Sequence, residues 1–152
     1  MRAHEAELAS DIVVERLQQI AEDMQRLGAD ASARIVMREA FAKTETPGGL
    51  IRLRVGVELL RMLVRARRFD EAVRVSSQLP AVASIFPTTT PEVKAYWDLK
   101  VEAELRAGYF EDCRQSMAHR QAIGLASPTD STVAAELGFF DAKVMTEDGD
   151  DD

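Results

Sequence analysis

A chain that performs catalysis must bring nucleophiles, acids, bases or metal ligands together, and this one offers few. Its 152 residues include two histidines, His4 and His119, and one cysteine, Cys113. Cys113 and His119 stand six positions apart, neither one helical turn nor two, so the spacing builds no thiol–imidazole dyad. Cys113 itself reads as a small side chain at a tight helix corner or, alternatively, as a reactive thiol. Asp148, Asp150 and Asp152 alternate as calcium ligands do, but the further ligand positions of such a loop do not follow. Pro47-Gly48-Gly49 precedes a helical stretch without the Lys-Ser/Thr of a phosphate loop. The expectation is a protein that is not an enzyme and carries no metal and no cofactor.

The residues with most capacity for recognition are arginines. From Arg52 to Arg74 seven arginines face three acids, Glu58, Asp70 and Glu71, a net charge of +4. From Asp141 to Asp152 six acids stand against Lys143, a net charge of −5, and the whole chain carries −7. That overall sign argues against a nucleic-acid binder and leaves a basic middle with an acidic tail. Arg54, Val57, Arg61 and Arg65 recur at helical spacing and so share one stripe. Arginine recognises carboxylates bidentately, so such a stripe suits an acidic, partly apolar peptide. The alternative is a solvated face whose aliphatic stems lie over the core.

Hydrophobic residues make up 46% of the chain and charged ones 30%, a balance that can build one globular core. A single cysteine implies no disulfide framework. The charged N-terminal stretch has no apolar signal region, and no apolar run reaches the roughly 20 residues that span a bilayer. A cytoplasmic protein without a membrane partner is expected. Apolar residues recur every three to five positions, the period of amphipathic helices. They predict helices over about 6–27, 30–43, 50–67, 70–79, 90–107, 110–123 and 130–145. Asp70 is expected to cap the fourth, and Thr90-Pro91-Glu92 to open the fifth. Residues 80–90 read as a long loop, with Ile85 and Phe86 as a possible second contact surface. Residues 146–152 have nothing to bury and are expected to be a disordered acidic tail beyond a single domain over 1–145.

Two helix corners look alike. Arg67-Arg68-Phe69-Asp70-Glu71-Ala72 matches Gly108-Tyr109-Phe110-Glu111-Asp112-Cys113 at an offset of 41, and Gly28 to Ala33 gives a third copy at an offset of 39. Each lies between a longer first helix and a shorter second one. The pattern Gly-x-aromatic-x-x-small resembles the corner of the tetratricopeptide (TPR) repeat. Trp97 and Leu17 fall where that family prefers a large residue on its first helix, and Met37, Ala40 and Met117 fit its second. Gly56 in the large-residue position, Asp30 in the aromatic one, Arg120 in a small one and a spacing near 40 depart from the pattern. Three unrelated helical hairpins would be the other reading.

The resemblance implies an all-α fold of about seven helices, three stacked antiparallel helix pairs with a C-terminal capping helix. It places Arg54, Val57, Arg61, Val64 and Arg65 on the groove formed by the first helices. It also implies a protein–protein interaction module, an adaptor or small chaperone holding a partner segment. In size, charge and repeat count the chain is similar to the helical-repeat chaperones of bacterial type III secretion. The other expectation is a regulatory or dimerisation domain, for instance a homodimer controlling an enzyme or a transcription complex.

Overall fold

The computed structural model describes residues 2–45 and 49–138. Among these every regular element is a helix. They run α1 (Arg2–Arg26), α2 (Asp30–Lys43), α3 (Gly49–Arg65), α4 (Phe69–Ser76), α5 (Pro80–Ala83), α6 (Pro91–Ala107) and α7 (Phe110–Ala122), followed by α8 over residues 130–138. The all-α expectation holds, with one helix more than foreseen. The stretch expected as a loop contains α5, because Pro80 takes the first helical position and Val82 and Ala83 bury against the core. The continuation of the last helix towards 145, the acidic tail and positions 46–48 lie outside the described residues.

Helices pack as α1 on α2, α3 on α4 and α6 on α7. The pairs follow in series, α2 meeting α3, and both α3 and α4 meeting α6. The three corners within the pairs share one geometry. Gly28, Arg67 and Gly108 each take a left-handed backbone, with φ of 80°, 60° and 87°. The next amide reaches back over the turn: Ala29 donates to the Met24 carbonyl at 2.8 Å, Arg68 to Leu63 at 2.9 Å and Tyr109 to Glu104 at 2.9 Å. These six-to-one bonds satisfy carbonyls that a helix end leaves unpaired. Five residues past each left-handed position stands a fully buried small side chain, Ala33, Ala72 or Cys113. Any larger residue there would push the second helix off the first.

The middle corner differs at the turn itself. Arg67 is the sole non-glycine residue with positive φ among the described residues, a conformation costing an L-residue about 1 kcal/mol. Asp70 does not cap α4. The backbone geometry makes Arg68 the N-cap, with no side-chain bond, and Asp70 sits exposed in the first turn. It still opposes the helix dipole from there, together with Glu71.

Volume is also exchanged between helices in the middle pair. Where the first pair has Leu17 on its first helix and Ala40 on its second, the middle pair has Gly56 on α3 and Leu79 three residues past the end of α4. A methyl group added at Gly56 would lie 2.7 Å from Leu79 Cδ1 and 3.2 Å from Phe41 Cε2. Gly56 therefore lets α3 approach both side chains, and the fully buried Leu79 fills the space a larger residue would take. Arg38 ties α2 to α4 by a bidentate pair with Glu71, at 2.5 and 2.7 Å. That bond, more than burial opposes it, holds the Glu71 carboxyl below its ordinary range.

One apolar core runs from Val14 and Ala21 of α1 through α2, α3 and α4 to Tyr96 and Trp97 of α6. A smaller one lies under α8, where Val101, Leu105, Cys113, Met117 and Leu137 meet. Between them Arg120, only 2% exposed, donates to Asp98 at 2.9 Å and to Asp130 at the start of α8. Two carboxylates thus neutralise a buried guanidinium that fastens the terminal helix.

Candidate functional site

The α3 residues expected to form a groove do not all share one environment. Arg54, Val57 and Arg61 line a shallow depression of about 260 Å³ with Glu58, Pro91, Glu92 and Ala95. Val57 is buried, and Val64 is half-buried against the main core. Two of the three arginines already face carboxylates of their own chain. Arg61 Nη1 lies 2.5 Å from Glu58 and Arg54 Nε 3.8 Å from Glu92. Arg65 is exposed near the end of α3, with no carboxylate within 4.0 Å among the described residues.

Arg52, in the same basic stretch, is occupied too. Its guanidinium lies 4.3 Å from the centre of the Phe41 ring and donates to Thr44 Oγ1 at 3.2 Å and the Phe41 carbonyl at 3.5 Å. It closes the C-terminal end of α2, where a cation complements the helix dipole. The +4 stretch is therefore less available than its composition suggests.

A larger cleft, of about 760 Å³, opens elsewhere, between α4–α5 and α7 with α6 as its floor. One half is apolar, built by Val73, Pro80, Phe86, Val93, Trp97 and Ile123. Trp97 shows only 8% of its surface, and its ring is covered at one side by His119, with ring centres 4.7 Å apart and planes tilted by 35°. Tyr96 supports it from behind with an edge-on contact at 5.0 Å and donates its hydroxyl to the Ser76 carbonyl at 2.9 Å. Of the two loop residues expected as a contact surface, Phe86 faces this cleft and Ile85 stands 71% exposed.

The other half is polar. Lys100, Glu104, Asp112, Gln115 and Ser116 line it. Glu104 is 2% exposed, accepts a bond from Ser116 Oγ at 2.6 Å, and has Lys100 Nζ at 3.4 Å. Burial pushes its carboxyl above the ordinary range, against the pull of Ser116 and Lys100. With Asp112 on the rim, two carboxylates face one ammonium, which leaves this end acidic. Cys113, behind Glu104 in the fold, donates to the Val101 carbonyl at 3.6 Å. Burial first, and the Glu104 charge second, raise its thiol to about 11, so it stays protonated at neutral pH. This matches the small-core-residue reading of Cys113.

Sequence reasoning marked Phe86 as a contact residue, placed Trp97 only at a packing position of the repeat, and missed Glu104. A single acid on α6 looks like one more exposed helix charge. The available signal was its place between Ala103 and Leu105, two positions that also bury. Among the described residues no three His, Cys, Asp or Glu side chains are arranged to hold a metal ion. No helix among them is long and apolar enough to cross a membrane. Compared with protein families, curated proteins and solved structures, the chain matches none.

Proposed function

We propose that the chain is a protein-binding module, an adaptor or small chaperone built on a TPR-like stack of helix pairs, and that a partner segment occupies the cleft over α6. The observation that carries this reading is the cleft's division into an apolar, Trp97-floored half and an acidic half around Glu104 and Asp112. Concave sites of this kind bury an apolar anchor and fix its orientation with a few polar groups. The occupant that fits is a peptide segment with a large apolar side chain followed by a lysine, an arginine or another donor. Three equivalent corners, each with a left-handed residue, a six-to-one bond and a buried small side chain, support the repeat reading. The one cysteine, buried as a thiol, suits a reducing compartment such as the cytoplasm.

An acidic peptide on the α3 stripe is the weaker reading, because Arg54 and Arg61 already have carboxylate partners. The two separate by selecting displayed peptides on the full chain and measuring their affinity for two variants. Ser77→Trp places a bulky ring in the cleft from an exposed position of its wall. Arg61→Glu with Arg65→Glu reverses the stripe. The cleft reading expects selected peptides with an apolar-then-basic pattern that lose affinity for the first variant and keep it for the second. Acidic peptides with the opposite response would overturn it.

A further inference from the structure

The first helix carries an apolar surface that the cleft does not use. On α1, Val14 and Ala21 are buried, with Leu17 and Met24 beside them on the core. About a quarter turn round from that face stand Val13 and Ile20, 43% and 44% exposed, and Leu27, just past the helix end, 85% exposed. Seven-residue spacing brings these three within about 20° of one another on each repeat, a single seam along the helix. At the other end of the stack α8 covers the last pair, fastened by Arg120 and Asp130. On the reading of the chain as a stack of helix pairs, its ends need a polar outer face, and on α1 that face is interrupted by this apolar seam.

The charges beside the seam indicate what covers it. Read along the helix the seam is Val13, Arg16, Ile20, Asp23, Leu27. A two-fold axis through Ile20 sets Val13 against Leu27 of a second copy and brings Arg16 beside the second copy's Asp23. A parallel alignment would set Arg16 on Arg16 and Asp23 on Asp23, like charge on like. The pattern is thus complementary to its own reverse, the requirement for an isologous contact. Asp23 already accepts from Gln19 at 3.0 Å and from Arg26, and a carboxylate has room for a further donor.

We propose that the Val13–Ile20–Leu27 seam of α1 pairs antiparallel with the same seam of a second copy, so that the module is a two-fold dimer with its clefts left open. One helix packed over about four turns lies at the small end of specific interfaces, below ~1,200 Å². The association is therefore expected to depend on concentration in the micromolar range.

Sedimentation velocity over a concentration series tests this on the full chain. The expected result is a species of twice the 16.8 kDa chain mass that grows with concentration. Ile20→Glu sets two like charges on the axis at an exposed position, and should give a monomer with unchanged helical circular dichroism. Orientation is read by mild oxidation, since Cys113 is buried. Ile20→Cys should cross-link to itself. Val13→Cys should cross-link only when mixed with Leu27→Cys. A single species of the 16.8 kDa chain mass at every concentration would overturn the proposal. So would a dimer that survives Ile20→Glu, or Val13→Cys cross-linking to itself as fast as to Leu27→Cys.

Discussion

The stripe on α3 and the cleft over α6 both carry charge beside apolar side chains, but their charges end in different places. On α3 the arginines lie at the surface and turn to carboxylates close by, Glu58 one helical turn back and Glu92 at the start of α6. Exposed pairs of this kind are held weakly, and most of their charge stays in water. In the cleft Glu104 is withdrawn from water and held by Ser116 of the neighbouring helix. Its charge is costly where it stands and is held by Ser116 and Lys100, so the exposed Asp112 on the rim is the carboxylate left to meet a donor brought by a ligand. The contrast shows that the number of charges on a face is a poor guide to recognition. What matters is whether a charge already has its partners.

Substitutions can break or sharpen this contrast. The largest effect should come from Leu79, which packs against Gly56 of α3 and immediately precedes the Pro80 wall of the cleft. Leu79→Ala is expected to cost about 2–4 kcal/mol in denaturant unfolding and to damage both faces. Adding Gly56→Leu restores the order of volumes seen at Leu17 and Ala40, and should recover part of that loss. Unfolding midpoints of the single and double variants check this, and a fully additive double variant would argue against the volume exchange.

Next comes Ser77→Trp, which should weaken cleft peptides at least tenfold, about 1.4 kcal/mol, in calorimetric titration. Arg61→Glu with Arg65→Glu should leave the same peptides within about twofold. A smaller gain is expected at the end of α3, where Arg67→Gly removes left-handed strain and should stabilise the chain by about 0.5–1 kcal/mol.

The finest contrast is in pH. Because the Glu104 carboxyl is raised in the folded chain, its contribution to stability is full below its unfolded value near 4.5 and is lost as pH rises through the folded value. Glu71 runs the other way. Lowered by Arg38, it contributes above the unfolded value and loses that contribution as pH falls. Melting curves from pH 4 to 8 should therefore show Glu104→Gln raising stability most at the alkaline end, and Glu71→Gln lowering it there. Glu58→Gln on the stripe should change it by less than about 0.5 kcal/mol at any pH.

Much of the frame was legible in the sequence, and the reasons are local. Gly28 and Gly108 end their helices because left-handed turns favour glycine, and Thr90-Pro91 opens α6 by pre-set backbone angles. The middle corner was aligned through Phe69 and Ala72, although Arg67 hides its turn. Two features resisted because they depend on distant segments. Asp70 has the chemistry of a cap, but the six-to-one bond from Arg68 to Leu63 sets the cap of α4 at Arg68, two residues earlier. Glu104 looks solvent-facing until α7 packs Ser116 against it, twelve residues later. The arginine stripe was visible as a helical spacing. Its partner Glu92 lies 38 residues beyond Arg54, a distance that composition and periodicity do not span.

Trp97 is the only tryptophan in the chain and forms the floor of the cleft, so its fluorescence reports occupancy there and not on α3. The decisive measurement is titration of the full chain with an apolar-then-basic peptide selected on it, following Trp97 emission, with hydrogen exchange at saturation. Occupancy of the cleft predicts a saturable change in emission and slowed exchange in α4, α5 and α7, the slowed exchange being lost in Ser77→Trp. Unchanged Trp97 emission, with protection confined to α3 and lost on reversing Arg61 and Arg65, would contradict it.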